Sequence, residues 1–311
     1  MTEPTVHILL ASYNGQAYLQ EQLESIAAQT WPCWSLLVSD DGSTDHTRPT
    51  VAQFASKVAQ PVVLIPGPCK GVTHNFFHLI HSANTQNEQD LYAFCDQDDV
   101  WLPCKLQRAV AHYQSQTLGP QQAYLYSSAT QIVDAQLKPL GTSPLPQQPL
   151  GFGNALLQNI ASGNTMVFNH ALLRVLRAIR SENSTLHDWS AYQAVSACGG
   201  LHYHDPVPSV LYRQHGANLI GSNTSGYARL RRLHGILRAD RKQWANQTEA
   251  AMHDIHAFLS PAAAAQLQAF SSMRRQTSPI ARIKAARAQQ LWTQKKSGQL
   301  ILLGLLWWGL M

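Results

Sequence analysis

The chain has 311 residues, of which 45% are hydrophobic and 13% are charged, and its formal net charge is +5. This composition excludes a disordered or fibrous protein and suits one large domain, or one domain with an appendage. The five cysteines are scattered without a Cys-x-x-Cys pair, and the segment before Val6 lacks the features of an export signal. We therefore expect a cytoplasmic protein with reduced thiols.

Charge is unevenly distributed along the chain. Of the 23 Lys and Arg residues, 13 lie after residue 225 beside three acidic residues, so 226–311 carries +10 and the first 225 residues carry −5. The charge pattern therefore predicts a domain of residues 1–225, followed by a basic, helical C-terminal region of residues 226–311.

Short apolar runs alternate with amphipathic segments through about residue 130. Apolar residues recur with helical spacing in 18–27 and again in 45–58. This alternation predicts an α/β fold with a mixed, mainly parallel sheet flanked by helices. The predicted strands are 6–10, 34–38, 62–65, 91–95 and 123–126.

The rest of the chain follows a less regular pattern. Residues 139–153 are rich in Pro, Gly and Gln and are predicted to form a loop. Strands are predicted at 165–168 and 207–212, and helices at 171–180 and from near Asp188. Further helices are predicted in the basic region at 229–244, 249–258 and 280–293.

Polar motifs follow the first two strands, where ligands of parallel sheets bind. Residues 11–15 read Ala-Ser-Tyr-Asn-Gly, and residues 39–45 read Ser-Asp-Asp-Gly-Ser-Thr-Asp. A turn at Asn14 and a helix cap at Ser43 or Asp45 would explain part of this pattern. Asp40 and Asp41 repel each other, which a fold tolerates more readily if one of them accepts hydrogen bonds from a nucleobase or ribose.

The fourth strand leads into Asp96, Asp98 and Asp99, three carboxylates in four residues. Divalent ions such as Mg²⁺ or Mn²⁺ bind oxygen ligands, and Mg²⁺ commonly uses one or two carboxylates together with substrate phosphates. The alternative is an acidic loop that caps a helix from Pro103. The cluster favours a Mg²⁺ or Mn²⁺ site that a diphosphate completes.

These motifs, in their order and spacing, resemble family 2 glycosyltransferases, which have the Rossmann-like GT-A fold. The resemblance rests on residues 11–15, 39–45 and 96–101. Residues 161–165 (Ala-Ser-Gly-Asn-Thr), 187–189 (His-Asp-Trp) and 212–216 (Tyr-Arg-Gln-His-Gly) resemble later blocks of the bacterial rhamnosyltransferase branch. Together the motifs cover about residues 5–222.

The resemblance implies roles for the matched positions. Asp188 would be the general base, and Asp98 and His215 would bind the metal; the alternative for Asp188 is a helix cap. His187 departs from the more common Glu at its position. The implied nucleotide-sugar contacts are Ala11, Tyr13, Asn14, Asp41, Asp96 and Gln97. The implied acceptor-side residues are Ser162, Gly163, Asn164 and Trp189. The first domain would then comprise a nucleotide-sugar half (about 1–130) and an acceptor half (about 131–225).

The implied activity is a metal-dependent, inverting transfer of L-rhamnose from dTDP-L-rhamnose to a hydroxyl of a lipid-linked cell-surface polysaccharide. A UDP- or GDP-hexose donor remains open, as does a degenerate protein that binds nucleotide sugar without transfer. A nucleotidyltransferase is disfavoured because no Gly-rich phosphate loop follows 6–10. A processive synthase is disfavoured because the Gln-x-x-Arg-Trp block and long membrane spans are absent.

The apolar segment 300–311 ends in Trp307 and Trp308 and follows Lys295 and Lys296. Twelve residues are too few for a membrane span, which needs about 20. The segment is therefore expected to be either a buried packing helix or a peripheral anchor at the inner face of the cell membrane. Nucleic-acid binding is disfavoured because the basic region lacks interleaved aromatic residues.

Overall fold

The computed structural model describes residues 3–84, 86–215 and 240–310. Within them lies a nine-stranded mixed sheet of strand order β3-β2-β1-β4-β8-β6-β9-β5, with β7 paired to β6. The predicted α/β class is confirmed. The strands are β1 (Val6–Ser12), β2 (Trp34–Asp40), β3 (Val62–Pro66), β4 (Leu91–Asp96), β5 (Val100–Trp101), β6 (Tyr124–Val133), β7 (Pro139–Thr142), β8 (Val167–Asn169) and β9 (Leu201–Arg213).

Four parallel strands form the N-terminal half of the sheet. The central strand β1 is buried along its whole length, as its apolar sequence requires for a strand covered on both faces. Its register pairs Ser12 with Asp40 on β2, and Ala11 with Asp96 on β4. The two strand-end motifs and the acidic cluster therefore meet at one edge of the sheet.

The C-terminal half of the sheet is mostly antiparallel. Strand β8 is antiparallel to both β4 and β6, whereas β9 runs parallel to β6. Strand β5 is antiparallel to β9 and pairs Val100 with Leu211. This pairing brings the end of β9 beside the acidic cluster.

Helices pack on both faces of the sheet and continue through the C-terminal region. In the N-terminal half they are α1 (Leu19–Ala27), α2 (Thr47–Ala55), α3 (Val72–Ser82) and α4 (Lys105–Gln114). Then follow α5 (Phe152–Ala155), α6 (His170–Ala178), α7 (His187–Ala197), α8 (Asp240–Asp254), α9 (Pro261–Arg275), α10 (Pro279–Ala288) and α11 (Lys296–Trp308).

Two regions differ from the sequence-based expectation. The predicted loop 139–153 contains β7 and the single turn α5. Strand β7 is exposed along its length and shows no apolar alternation, and it is ordered by backbone pairing with β6. Helix α9 was not predicted, although Ser260 caps it by accepting from the Ala263 N–H, and Pro261 occupies its first position.

The predicted C-terminal helices have different bounds in the structure. Residues 229–239 lie outside the described residues, and so does the predicted domain boundary at 225/226. Helix α8 continues through residues 245–248, where the sequence suggested a break. Helix α10 ends at Ala288, short of the predicted residue 293.

The C-terminal helices share a hydrophobic core with the sheet. One cluster contains Leu9 and Phe94 of the sheet together with Met252, Phe270 and Leu306 of the last helices. A second cluster fills the opposite face of the sheet. In the described part of the chain, no helix combines the length and apolar content needed to cross a membrane.

Candidate active site

Asn14 joins the first two strand-end loops. Its backbone N–H donates to Ser43 Oγ at 2.8 Å, and its side-chain Oδ1 accepts from the Thr44 N–H at 3.0 Å. Its φ of 46° lies in the left-handed region, which Asn tolerates better than most residues. Asn14 is therefore placed to fix the shape of both loops at once.

The adjacent carboxylates of Asp40 and Asp41 are both stabilised by the protein. Asp40 accepts from Arg48 Nε at 2.6 Å and from the Ser43 N–H at 3.2 Å. Asp41 accepts from the backbone N–H groups of Cys69 at 2.6 Å and Gly71 at 2.8 Å. Asp41 is buried, so a nucleobase contact would use the remaining lone pairs of its two oxygens.

Tyr13 is 57% exposed and stands at the mouth of this edge of the sheet. Its backbone is held by the Gln97 amide, which accepts from the Tyr13 N–H at 2.9 Å and donates to the Tyr13 carbonyl at 3.0 Å. A Cβ on Gly15 would collide with Gln97. Gln97 thus positions Tyr13, whose exposed ring is accessible for stacking on a base, while Ala11 is buried at the end of β1.

The two predicted metal ligands are in direct contact. Asp98 Oδ2 lies 2.8 Å from Nε2 of His215, which comes 117 residues later in the chain. The His215 ring also packs against Tyr18, with 4.7 Å between ring centroids. The fold of β9 back onto β5 produces this pairing.

Asp99 has a different environment from Asp98. It is fully buried, and its carboxylate accepts from the Asn164 side chain and from the Arg213 N–H at 3.1 Å. Burial and the neighbouring Asp98 charge raise the pKa of Asp99 to about 7. Asp99 therefore links the acidic cluster to the acceptor-side loop and to β9.

Arg213 has no role predicted from the sequence, although it lies within the 212–216 block. Its side chain is buried. The guanidinium donates to the carbonyls of Asp98 at 2.9 Å and Ala135 at 2.6 Å, and it pairs with Glu21. The sequence signal that could have identified this network is an arginine at the end of an apolar strand. A guanidinium buried at such a position must find several hydrogen-bond acceptors.

Asp188 lies in the first turn of α7, beside the acceptor-side loop. Its carboxylate accepts from the Gly163 N–H at 3.2 Å and from the Trp189 N–H at 2.7 Å. The N-cap residue of α7 is Leu186, so Asp188 does not cap the helix. Burial raises the pKa of Asp188 to about 6, although these hydrogen bonds oppose the shift. Asp188 is therefore ionised at neutral pH and is a stronger base than an ordinary aspartate.

His187 forms the floor beneath Gly163. Its ring stacks on Phe76 with 3.6 Å between centroids, and burial lowers its pKa to about 3, so the ring is neutral. A Cβ added to Gly163 would lie 2.7 Å from His187 Nε2 and 3.2 Å from the Asp188 Cβ. Glycine is thus required for this close packing.

Asp96 connects the acidic cluster with Asp188. Burial raises its pKa well above the ordinary value, and the charges of Asp99, Asp98 and Asp188 add to the shift. Among the residues that the structure describes, its carboxylate has no hydrogen-bond partner, so it is available to a ligand. The turn at residues 163–165 lies between the two groups, because the Gly163 N–H donates to Asp188 and the Asn164 side chain donates to Asp99.

The acceptor-side residues differ in accessibility. Ser162 is partly exposed, whereas Asn164 and Trp189 are buried. The Trp189 indole N–H donates to the Ala155 carbonyl at 2.7 Å. Asn164 and Trp189 therefore support the loop from behind, and Ser162 faces outward.

The donor set at Asp98 and His215 fits a divalent cation that is completed by substrate. Within the described ranges, no group of three or more His, Cys, Asp or Glu residues is arranged to hold a metal ion. A carboxylate and an imidazole leave room for phosphate oxygens and water, as in many nucleotide sites. Carboxylate and phosphate oxygens suit Mg²⁺ and Mn²⁺, and the imidazole favours Mn²⁺ of the two.

The sequence is similar to those of known glycosyltransferases. Residues 7–156 match the family profile described as glycosyl transferase family 2. The chain is 29% identical over 239 residues to a protein of Shigella flexneri named dTDP-rhamnosyl transferase RfbG, and the match covers 74% of this chain and 79% of that protein.

Solved structures support the GT-A fold. The S. aureus TarS fragment 1–349, in complex with UDP-GlcNAc, superposes with a TM-score of 0.56 at 16% identity, covering 98% of this chain and 87% of that chain. The mannosyltransferase PcManGT of Pyrobaculum calidifontis, in complex with GDP-Man and Mn²⁺, gives a TM-score of 0.51 at 19% identity and covers 94% and 88% of the two chains. At these identities the likeness shows the fold alone.

Proposed function

Because the chain belongs to family 2 of the glycosyltransferases, in the rhamnosyltransferase-like branch, we propose that it is an inverting, metal-dependent rhamnosyltransferase. The donor is dTDP-L-rhamnose, and the acceptor is a hydroxyl of a lipid-linked cell-surface polysaccharide. The observation that carries the proposal is the turn at residues 163–165, which contacts both Asp188 and Asp99, the residue next to the Asp98–His215 pair.

In this proposal Asp188 takes the proton of the acceptor hydroxyl as the hydroxyl attacks the anomeric carbon. Its partly buried carboxylate, with a pKa of about 6, is charged at neutral pH and close to the pH at which a general base works best. The Gly163 and Trp189 N–H groups hold the carboxylate in one orientation. Attack from the face opposite the leaving diphosphate inverts the anomeric centre.

The donor occupies the edge formed by the first, second and fourth strands. Tyr13 stacks on the base, Asp41 accepts from the base, and Asp96 accepts from the ribose. Asn14 and Gln97 hold the surrounding loops. Asp98 and His215 would hold the divalent cation, which would neutralise charge on the leaving diphosphate.

The acceptor approaches past Ser162, the partly exposed member of its loop. Asn164 and Trp189 act indirectly, by keeping Gly163 and Asp188 in place. The division at residues 130 and 225 into donor half, acceptor half and basic region remains part of this proposal. A lipid-linked acceptor would bring the protein to the inner face of the cell membrane.

A UDP- or GDP-hexose donor is the second candidate, because the structural neighbours include complexes with UDP-GlcNAc and GDP-Man. A degenerate binding protein is a weaker alternative, because Asp98, Asp188 and His215 are all present and placed together.

Titration calorimetry with dTDP-rhamnose, UDP-glucose, UDP-galactose and GDP-mannose tests the donor, with Mn²⁺ and with EDTA. We expect binding of dTDP-rhamnose that requires Mn²⁺ and is lost in Asp98→Ala. Glu88→Ala, at an exposed position in the loop before β4, is the matched control and should bind normally.

Each outcome is decisive for one part of the proposal. Tight binding of a UDP- or GDP-sugar in place of dTDP-rhamnose would replace the proposed donor. Donor binding that depends neither on Mn²⁺ nor on Asp98 would contradict the proposed metal site. Binding without transfer to any glycan-lipid extract would favour the degenerate alternative.

A further inference from the structure

The last helix, α11, has one face in the core and an apolar face in solvent. Leu302, Leu305 and Leu306 are buried, whereas Leu300, Trp307 and Trp308 are 70%, 50% and 75% exposed. The exposed residues are spaced so that they share one side of the helix with Gly304, which is open to solvent. A surface helix normally shows charged or polar residues on this side.

Helix α11 is held firmly in this orientation. Arg282 of α10 donates to the Leu306 carbonyl at 2.7 Å. Gly309 ends the helix with a φ of 67°, and a Cβ there would lie 3.0 Å from the Arg282 guanidinium. The two tryptophans are therefore presented outward by a fixed element.

Basic residues are exposed on α10 and at the start of α11, and Lys296 lies one turn before Leu300 on the exposed side of α11. Lys295 and Lys296 are exposed at the start of α11, and Lys284 and Arg287 are exposed on α10. After Asp254 the sequence has seven Lys and Arg residues and no Asp or Glu.

We propose that the exposed face of α11, with the exposed lysines at the start of that helix, docks on an anionic lipid surface. Tryptophan rings favour the headgroup region, and Lys and Arg residues are attracted to anionic lipids. A helix with these properties lies in the plane of the interface. A symmetric dimer through this face is disfavoured because it would bring two positively charged surfaces together.

This proposal uses none of the residues assigned to the transfer site. It deepens the proposed function only by naming the surface through which the enzyme reaches a lipid-linked acceptor. Vesicle binding can be measured without donor sugar or metal, so its failure and the failure of the transferase proposal are separate results.

The test is co-sedimentation of the full chain with phosphatidylcholine vesicles, with and without about one quarter phosphatidylglycerol. We expect binding to the anionic vesicles alone, weakened strongly by about 0.5 M salt. Trp307→Ser with Trp308→Ser should lower the partition coefficient by at least about tenfold. Lys295→Ala with Lys296→Ala should lower it by about 30-fold at low salt.

The controls change equally exposed residues elsewhere. Leu140→Ser on β7 replaces a side chain that is 53% exposed, and Lys57→Ala with Lys138→Ala removes two exposed charges. These variants should bind vesicles as the unaltered chain does. Circular dichroism checks that every variant is folded.

Two results would overturn the proposal. The first is absence of binding to anionic vesicles, or a loss that the control variants share. The second is light scattering that shows a dimer of the full chain which the tryptophan substitutions dissociate, because the face would then be an interface between copies.

Discussion

The aspartates of the site have different surroundings and therefore different roles. Asp98 is partly exposed and contacts His215, whereas Asp99 is buried and bonded to Asn164 and Arg213. Asp188 is held by two backbone N–H groups. One residue type is thus suited to serve as a metal ligand, a structural link or a base, according to which donors surround each carboxylate.

Replacing Asp188 with Asn should reduce transfer by about 10²- to 10⁴-fold, because the amide cannot accept the acceptor's proton. Donor binding with Mn²⁺ should change little, since Asp188 lies on the acceptor side. Steady-state rates and donor titration on the same variant measure both. Glu182→Gln, at an exposed position, is the control, and a matching loss there would contradict the assignment.

The pH dependence of transfer should report the titration of Asp188. The base is active when deprotonated, so kcat/KM should rise with pH through about 6 and level off above it. Transfer rates are measured between about pH 4.5 and 8, and donor affinity is measured at each pH. The two measurements together distinguish a pH effect on catalysis from weaker donor binding at low pH. A limb that persists unchanged in Asp188→Asn would assign the pKa to another group.

At the scale of elements, the start of α7 packs directly on the short turn at residues 163–165. The fit depends on Gly163, because a Cβ there would crowd His187 and Asp188. The proposed general base is therefore positioned by close contact of two backbone segments.

Gly163→Ala should shift Asp188 and lower the transfer rate more than it lowers donor affinity. Overpacking of this kind costs about 1–3 kcal/mol in the free energy of unfolding. Gly119→Ala, where the nearest atom is 4.0 Å from the new Cβ, is the matched control. Thermal unfolding and kinetics of both variants test this; equal effects would show that the packing at Gly163 is unimportant.

Arg213 ties β9 to the acidic cluster and to α1. Arg213→Lys removes the planar fork that reaches Asp98, Ala135 and Glu21, and should lower the free energy of unfolding by about 2–4 kcal/mol. Mn²⁺ affinity should fall as well, because His215 is two residues away. Denaturant unfolding and Mn²⁺ titration measure the two effects.

The control for Arg213 is Arg180→Lys. Arg180 is 71% exposed at its side chain and pairs with Asp254, so this change should alter stability by less than about 1 kcal/mol. A similar loss in both variants would mean that burial of Arg213 does not matter.

At the scale of the whole molecule, the sheet and the C-terminal helices share one core. Leu302→Ala on α11 should therefore destabilise the whole chain, by about 2–5 kcal/mol, with a single unfolding transition. Leu300→Ala, two residues away on the exposed face, should change stability by less than about 0.5 kcal/mol. Two separate transitions in Leu302→Ala would show that the C-terminal helices unfold independently.

The sequence by itself determined the alternating elements and the location of the site. Apolar runs such as 6–10 and 91–95 read as buried strands because burial of both faces demands continuous hydrophobicity. Because parallel strands end at one edge of a sheet, the positions of the motifs directly after these strands are enough to bring the motifs together. Strand β7, which is exposed, and the full length of β9 lack a continuous apolar sequence. Both strands are formed by backbone pairing with β6.

Only the tertiary structure decided the partners of the charged groups. The contact of Asp98 with His215 and the hydrogen bonds of Arg213 to Asp98 and Asp99 join residues more than 100 positions apart in the chain. Local sequence carries no record of such contacts, because they depend on how β5 and β9 pair. The orientation of α11 was likewise undecided, since an apolar helix has no sequence periodicity that marks which side is buried.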